Sequence, residues 1–200
     1  MAEAAYPRQG QTRVKYSLKS RTMGRMVALL RAVNVGGRKL PMAELRALCA
    51  GLGWEDVATY IQSGNVVFTA GDKPGALEKT LEGAVARRFG FDSPVIIRTA
   101  AQWAEYPPAN PFSEAARDEP NRLMLLLSKS PPAGGAEEVI QARAAAGERV
   151  KRAGDALWFH YPEGAGTSKL TPSLIDRAVG SPATARNYRT VVTLLDMLRA

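Results

Sequence analysis

Val57-Ala58-Thr59-Tyr60-Ile61-Gln62-Ser63-Gly64-Asn65-Val66-Val67-Phe68-Thr69 is the stretch on which the fold turns. Residues 57–61 and 66–69 are rich in β-branched and aromatic side chains. Between them stand four turn formers, of which Gly and Asn tolerate the positive φ of a tight turn. The stretch therefore reads as a β-hairpin. Working outward, Met26–Leu30 reads as a buried strand. Pro41 opens a helix marked by Met42, Leu45, Leu48, Cys49 and Leu52, which Gly51 and Gly53 stop. After the hairpin, Leu77, Leu81, Val85 and Phe89 mark a second helix ended by Gly90, and Pro94–Thr99 is a further strand. The order β-α-β-β-α-β is the ferredoxin-like arrangement.

Residues 101–120 are rich in Pro and Asn and read as a connector, with a short helix around Ala101–Glu105. Beyond it the pattern restarts. Arg122–Ser128, Val150–Arg152 and Ala156–Tyr161 read as strands, Ala136–Ala146 as a helix, and Thr171-Pro172 as the start of another helix stopped by Gly180. Asn187–Arg199 is a terminal amphipathic helix. The second half thus reads β-α-β-β-α-α and echoes the first in element order rather than in sequence. The expected fold is α+β: two ferredoxin-like halves, 26–100 and 121–200, with a C-terminal helix.

The chain has 200 residues, is 46% hydrophobic and 23% charged, and so can bury a core without covalent staples. Its net charge of +8 is unevenly placed. Residues 1–25 hold six of the 27 cationic side chains and one of the 19 acids, which leaves the remainder only mildly basic at +3. That weakens a nucleic-acid reading based on total charge. The first 25 residues lack periodicity and are expected to be a disordered or non-native extension; a basic arm for polyanions and a transit peptide are the alternatives. No apolar run nears the roughly 20 residues that cross a bilayer. One cysteine, Cys49, precludes an intrachain disulfide, and one histidine, His160, cannot complete a common structural zinc site. No metal or cofactor is expected.

Three polar clusters stand at the ends of apolar elements. After the first strand come Arg31, Asn34, Gly36 and Gly37, where free backbone N–H groups ahead of a helix suit an anion. The segment matches neither phosphate-loop nor dinucleotide fingerprint. The hairpin turn presents Gln62, Ser63 and Asn65. The third cluster combines Ser168 and Lys169 with Arg186 and Asn187. Thr171 has an evident task as a helix cap, whereas Ser168 and Lys169 have none so evident. Two cations, Arg186 and Arg189, near a helix N-terminus oppose its dipole and call for an anionic neighbour.

The motifs ALLRAVNVGG, TYIQSGNVVF, YPEGAGTSKLT and TARNYRTVVTLLDML, in that order, resemble those of the bacterial family called domain of unknown function 1697. The resemblance runs from residue 26 to about 198. It implies a cytoplasmic bacterial protein with ferredoxin-like halves, and it brings no substrate, cofactor or catalytic residue with it. Ala32 stands where the family pattern has Gly, and Tyr188 where it has Trp.

The expectation from these readings is a small binding protein for an anionic ligand, a nucleotide or phosphorylated metabolite. Its pocket would be built where Arg31, Asn34, Gly36, Gly37, Gln62, Ser63, Asn65, Ser168, Lys169, Arg186 and Asn187 converge. No catalytic set is recognisable, although Lys169 or Tyr188 could serve as an acid or base. The alternatives are an RNA- or DNA-binding module, which the scattered Trp54, Trp103 and Trp158 do not favour, and a protein-interaction module whose polar motifs are architectural. A membrane partner is not expected, and the oligomeric state is left open.

Overall fold

The computed structural model describes residues 22–200. The first half contains β1 (Gly24–Leu30), α1 (Met42–Gly51), β2 (Glu55–Tyr60), β3 (Asn65–Ala70), α2 (Pro74–Phe89) and β4 (Val95–Thr99). Helices α3 (Ala100–Glu105) and α4 (Ser113–Asp118) form the connection. The second half contains β5 (Leu123–Ser128), α5 (Ala136–Gln141), β6 (Arg149–Ala153), β7 (Ala156–His160), α6 (Pro172–Val179), β8 (Ala183–Asn187) and the terminal helix α7 (Tyr188–Arg199). Most of the expected N-terminal extension lies outside the described residues. Its last two residues do not belong to it: Gly24 and Arg25 are in β1, and the Arg25 guanidinium donates to the Met197 carbonyl.

Each half forms a four-stranded antiparallel sheet, in the orders β2-β3-β1-β4 and β6-β7-β5-β8. The two orders are the same permutation, so the halves share one topology. The second half has a strand more than its sequence pattern indicates. Ala183–Asn187 pairs with β5, Ser128 opposite Ala183 through Met124 opposite Asn187. Arg186 therefore lies on a strand and not in the last helix, which Asn187 caps by accepting from the Thr190 N–H. The connector carries a second helix, α4, and α5 ends at Gln141, five residues short of the expected Ala146.

Alternation along the strands builds three cores. From β1, Met26, Ala28 and Leu30 face α1 and α2, where Trp54 stacks on Phe68 at 3.9 Å. Val27 and Leu29 face the other way, into a central core shared with Leu123, Leu125 and Leu127 of β5, Trp158 of β7, and the helices α3 and α7. The outer face of the second sheet packs on α5 and α6 through Leu126, Phe159, Ile140 and Ile175. The molecule is thus two sheets set around a common middle, each with its own helix pair outside. No helix among the described residues is long and apolar enough to cross a membrane.

Gly64 in the β2–β3 hairpin is the most closely surrounded of the described glycines. Its φ is +74°, and a Cβ there would lie 2.7 Å from Val33 Cγ2 and 2.8 Å from Leu30 Cβ. Its carbonyl accepts from the Leu30 N–H at 2.8 Å, which holds the hairpin against the end of β1. Gly64→Ala combines a left-handed backbone with a clash against fixed atoms. It should lower stability by about 3 kcal/mol, read as a drop in the denaturant midpoint at unchanged slope.

Candidate ligand-binding cleft

The sequence SPVIIRT at 93–99 recurs as SPATARN at 181–187. The structure gives the two copies the same work. Arg98 on β4 donates through Nη1 to the carbonyl before it, Ile97 O, and through Nη2 to Ser128 O at the end of β5. Its Nε donates to the Tyr106 hydroxyl and to Asp155 in the β6–β7 turn. Arg186 on β8 donates through Nη1 to Ala185 O, likewise the preceding carbonyl, and to Thr184 Oγ1. Its Nη2 donates to Leu30 O at the end of β1 and to Ser63 O in the β2–β3 turn, and its Nε to Asn65 Oδ1 at 2.5 Å. Each final strand therefore sends one arginine into the opposite half, to the end of its first strand and to its hairpin. Burial pushes the Arg186 guanidinium down to about 10, so it remains charged at neutral pH.

Flanking ion pairs repeat the exchange. Arg31, just past β1, pairs with Asp176 on α6 at 2.6 Å. Lys129, just past β5, pairs with Glu82 on α2 at 2.5 Å. Each acid also accepts from the first N–H of the final strand in its own half: Glu82 from Val95 at 2.8 Å, Asp176 from Ala183 at 3.1 Å.

Several residues expected to face a ligand are committed to these bonds. Asn65 donates to Tyr60 O and Ser63 Oγ. Asn34, at φ 57°, donates to Leu40 O and Gln62 O and accepts from the Leu40 N–H. Asn187 is a helix cap. Ser168 donates to Glu148 Oε1 at 2.5 Å and accepts from the Leu170 N–H, which pins the 161–171 loop. Gly36 and Gly37 take φ 56° and 83° in an exposed turn. Gln62 and Lys169 are exposed, and Lys169 has no ion pair among the described residues. Ala32, at φ 52°, adopts the left-handed backbone that a glycine would take without strain.

Two clefts lie where the halves meet, one of about 400 Å³ beside Glu82, Ser93 and Lys129 and its counterpart beside Arg31. The counterpart, about 330 Å³ in volume, is bounded by Arg31 and Ala32 from the first half and by Tyr161, Leu170, Asp176 and β8 from the second. Of the residues expected to form a site, Arg31 lines it directly, Ser168 fixes its loop wall, and Arg186 lies beneath it through Thr184. Local patterning missed Tyr161, Asp176 and the Ala185 N–H. Tyr161 is 7% exposed, and its hydroxyl makes no hydrogen bond with any described residue. Burial first, then the charge of Glu148, push its phenol up, so it stays a neutral donor.

The Ala185 N–H follows from the sheet edge. On β4, the outward N–H groups of Val95 and Ile97 are taken by Glu82 and Glu78, one helical turn apart on α2. On β8, Asp176 takes the Ala183 N–H. The residue one turn before Asp176 is Pro172, at the start of a helix of 8 residues where α2 has 16. Nothing among the described residues therefore takes the Ala185 N–H, and Ala185 lines the cleft.

The family model DUF1697, described as a protein of unknown function, matches residues 23–158. The conserved bacterial protein SP0830 from Streptococcus pneumoniae is structurally similar. The TM-score is 0.68 at 25% identity, over 88% of this chain and 99% of that one. No curated protein matches.

Two predictions test this geometry. Arg186→Met keeps the stem but orphans the carbonyls of Leu30 and Ser63 and the Asn65 amide oxygen. It should cost about 3 kcal/mol or more with no ligand present, by chemical denaturation. The second concerns acid. The Ser168 hydroxyl, and after it the Ala146 N–H, hold the Glu148 carboxyl down to about 2, against an ordinary 4.5. A depressed folded value contributes stability that is present above 4.5 and is lost as pH falls towards 2. Ser168→Ala should lower stability at neutral pH by about 1–2 kcal/mol and flatten the loss between pH 4.5 and 2, measured as melting temperature against pH.

Proposed function

The chain belongs to the DUF1697 family, and we propose that this member is a small binding protein whose ligand carries an anionic group into the cleft between its halves. The observation that carries the reading is the convergence of unspent donors in that cleft. The Tyr161 hydroxyl and the Ala185 N–H have no partner among the described residues, and Arg31 spends one of its N–H groups on Asp176. An anionic acceptor placed there gathers these donors at once, and hydrogen bonds to a charged group are stronger than those the donors make to water.

The remaining wall is apolar, with Leu126, Leu170 and Ile175, so the anionic head sits on a compact apolar body. A volume of about 330 Å³ is at the small end for ligand pockets, which favours a short carboxylate or phosphate monoester over a full nucleotide. The nucleic-acid alternative has less support: Trp54, Trp103 and Trp158 are all buried and offer no stacking surface.

Tyr161→Phe removes only the unpartnered hydroxyl. The variant should melt within a degree or so of the parent yet bind 4-methylpentanoate or phenyl phosphate about tenfold more weakly by calorimetric titration, the loss of one hydrogen bond to a charged group. Equal binding by the two proteins, or no binding of any small carboxylate or phosphate ester by the parent, would refute the reading.

A further inference from the structure

Resting on the cleft reading above, we infer that the ligand is an α-amino acid with an apolar side chain, bound as its zwitterion. The cleft is not simply cationic. Arg31 and Asp176 stand side by side on its wall at 2.6 Å, their side chains 20% and 29% exposed. A plain anion placed on the free donors of Arg31 lies against the Asp176 carboxylate, and that repulsion offsets much of the attraction.

A zwitterion complements both charges. Its carboxylate takes the Arg31, Tyr161 and Ala185 donors. Its ammonium takes the lone pairs that Asp176 has left after accepting from Arg31 and the Ala183 N–H. Its side chain covers Leu126, Leu170 and Ile175.

The corresponding corner of the other half makes the contrast. There Lys129 faces two acids, Glu82 at 2.5 Å and Glu78 at 3.8 Å, and both outward N–H groups of β4 are already taken. That corner sets two carboxylates against its one cation and has no free edge N–H on β4 at Val95 or Ile97, which disfavours a carboxylate, so the pseudo-symmetric molecule carries one amino-acid site and not two.

The test is calorimetric titration of the full chain at neutral pH with L-leucine, L-phenylalanine, 4-methylpentanoate and 3-methylbutylamine. One of the two amino acids should bind at least tenfold more tightly than either single-charge analogue. Asp176→Asn, checked for an unchanged fold by circular dichroism, should bring amino-acid affinity down to that of 4-methylpentanoate without weakening 4-methylpentanoate itself. If 4-methylpentanoate binds as tightly as leucine and phenylalanine, the zwitterion inference is overturned while the cleft reading stands. If no compound bearing a carboxylate or phosphate binds, both fall.

Discussion

A guanidinium enclosed between two sheets cannot shed its charge, so its donors dictate what must surround them. Arg98 and Arg186 impose that demand twice, in mirrored form. Each leaves the last strand of its own half and is satisfied mainly by the other half, at Ser128 and Asp155 or at Leu30, Ser63 and Asn65. Pulling the halves apart would break these charged hydrogen bonds on both sides at once. The central core of Val27, Leu29, Leu125 and Trp158 supplies the attraction between the sheets. The arginines supply the register, since a hydrophobic face alone tolerates sliding and a five-donor fork does not. The two ferredoxin-like halves are thus joined by a shared core and by reciprocal arginines.

The same demand explains what could be read from the chain and what could not. The first half was legible because each element carries its own local signal: a proline start, a glycine stop, and β-branched runs around a turn. In the second half, β8 has Ala-Thr-Ala where β4 has Val-Ile-Ile, and apolar content alone does not mark it as a strand. The available signal was the frame S-P-x-x-x-R shared by residues 93–98 and 181–186, which is a repeat and not a propensity. Read as the start of a helix, Arg186 calls for an anion. Its acceptors turned out to be carbonyl oxygens 123 and 156 residues away, which no local pattern contains.

The candidate site shows the complementary blindness. Asn34, Ser63, Asn65 and Asn187 drew attention because polar residues in turns are conspicuous, and the structure spends their polar groups on caps, loop closures and the arginine exchange. Tyr161 and Asp176 drew none, because one follows an apolar strand and the other sits within an amphipathic helix, positions ordinary side chains occupy. What sets them apart is the state of their hydrogen bonds: one hydroxyl has no partner among the described residues, and one carboxylate is shared between a cation and a strand edge. That property exists only after the halves have met.

A duplicated fold would by itself give two equivalent corners and no reason for one to bind differently from the other. The asymmetry enters through helix length. Because α2 runs for 16 residues, it places Glu78 and Glu82 one turn apart along β4 and seals that edge. Because α6 runs for 8 and begins at Pro172, it places Asp176 alone along β8 and stops. The Pro172 side chain offers no acceptor where α2 has a glutamate, and the loop before it is held by Ser168 on Glu148. The missing turn leaves the Ala185 N–H without a partner among the described residues, in a cleft that also holds Tyr161 and the Arg31–Asp176 pair. The candidate site thus lies where the second half departs from the first in helix length.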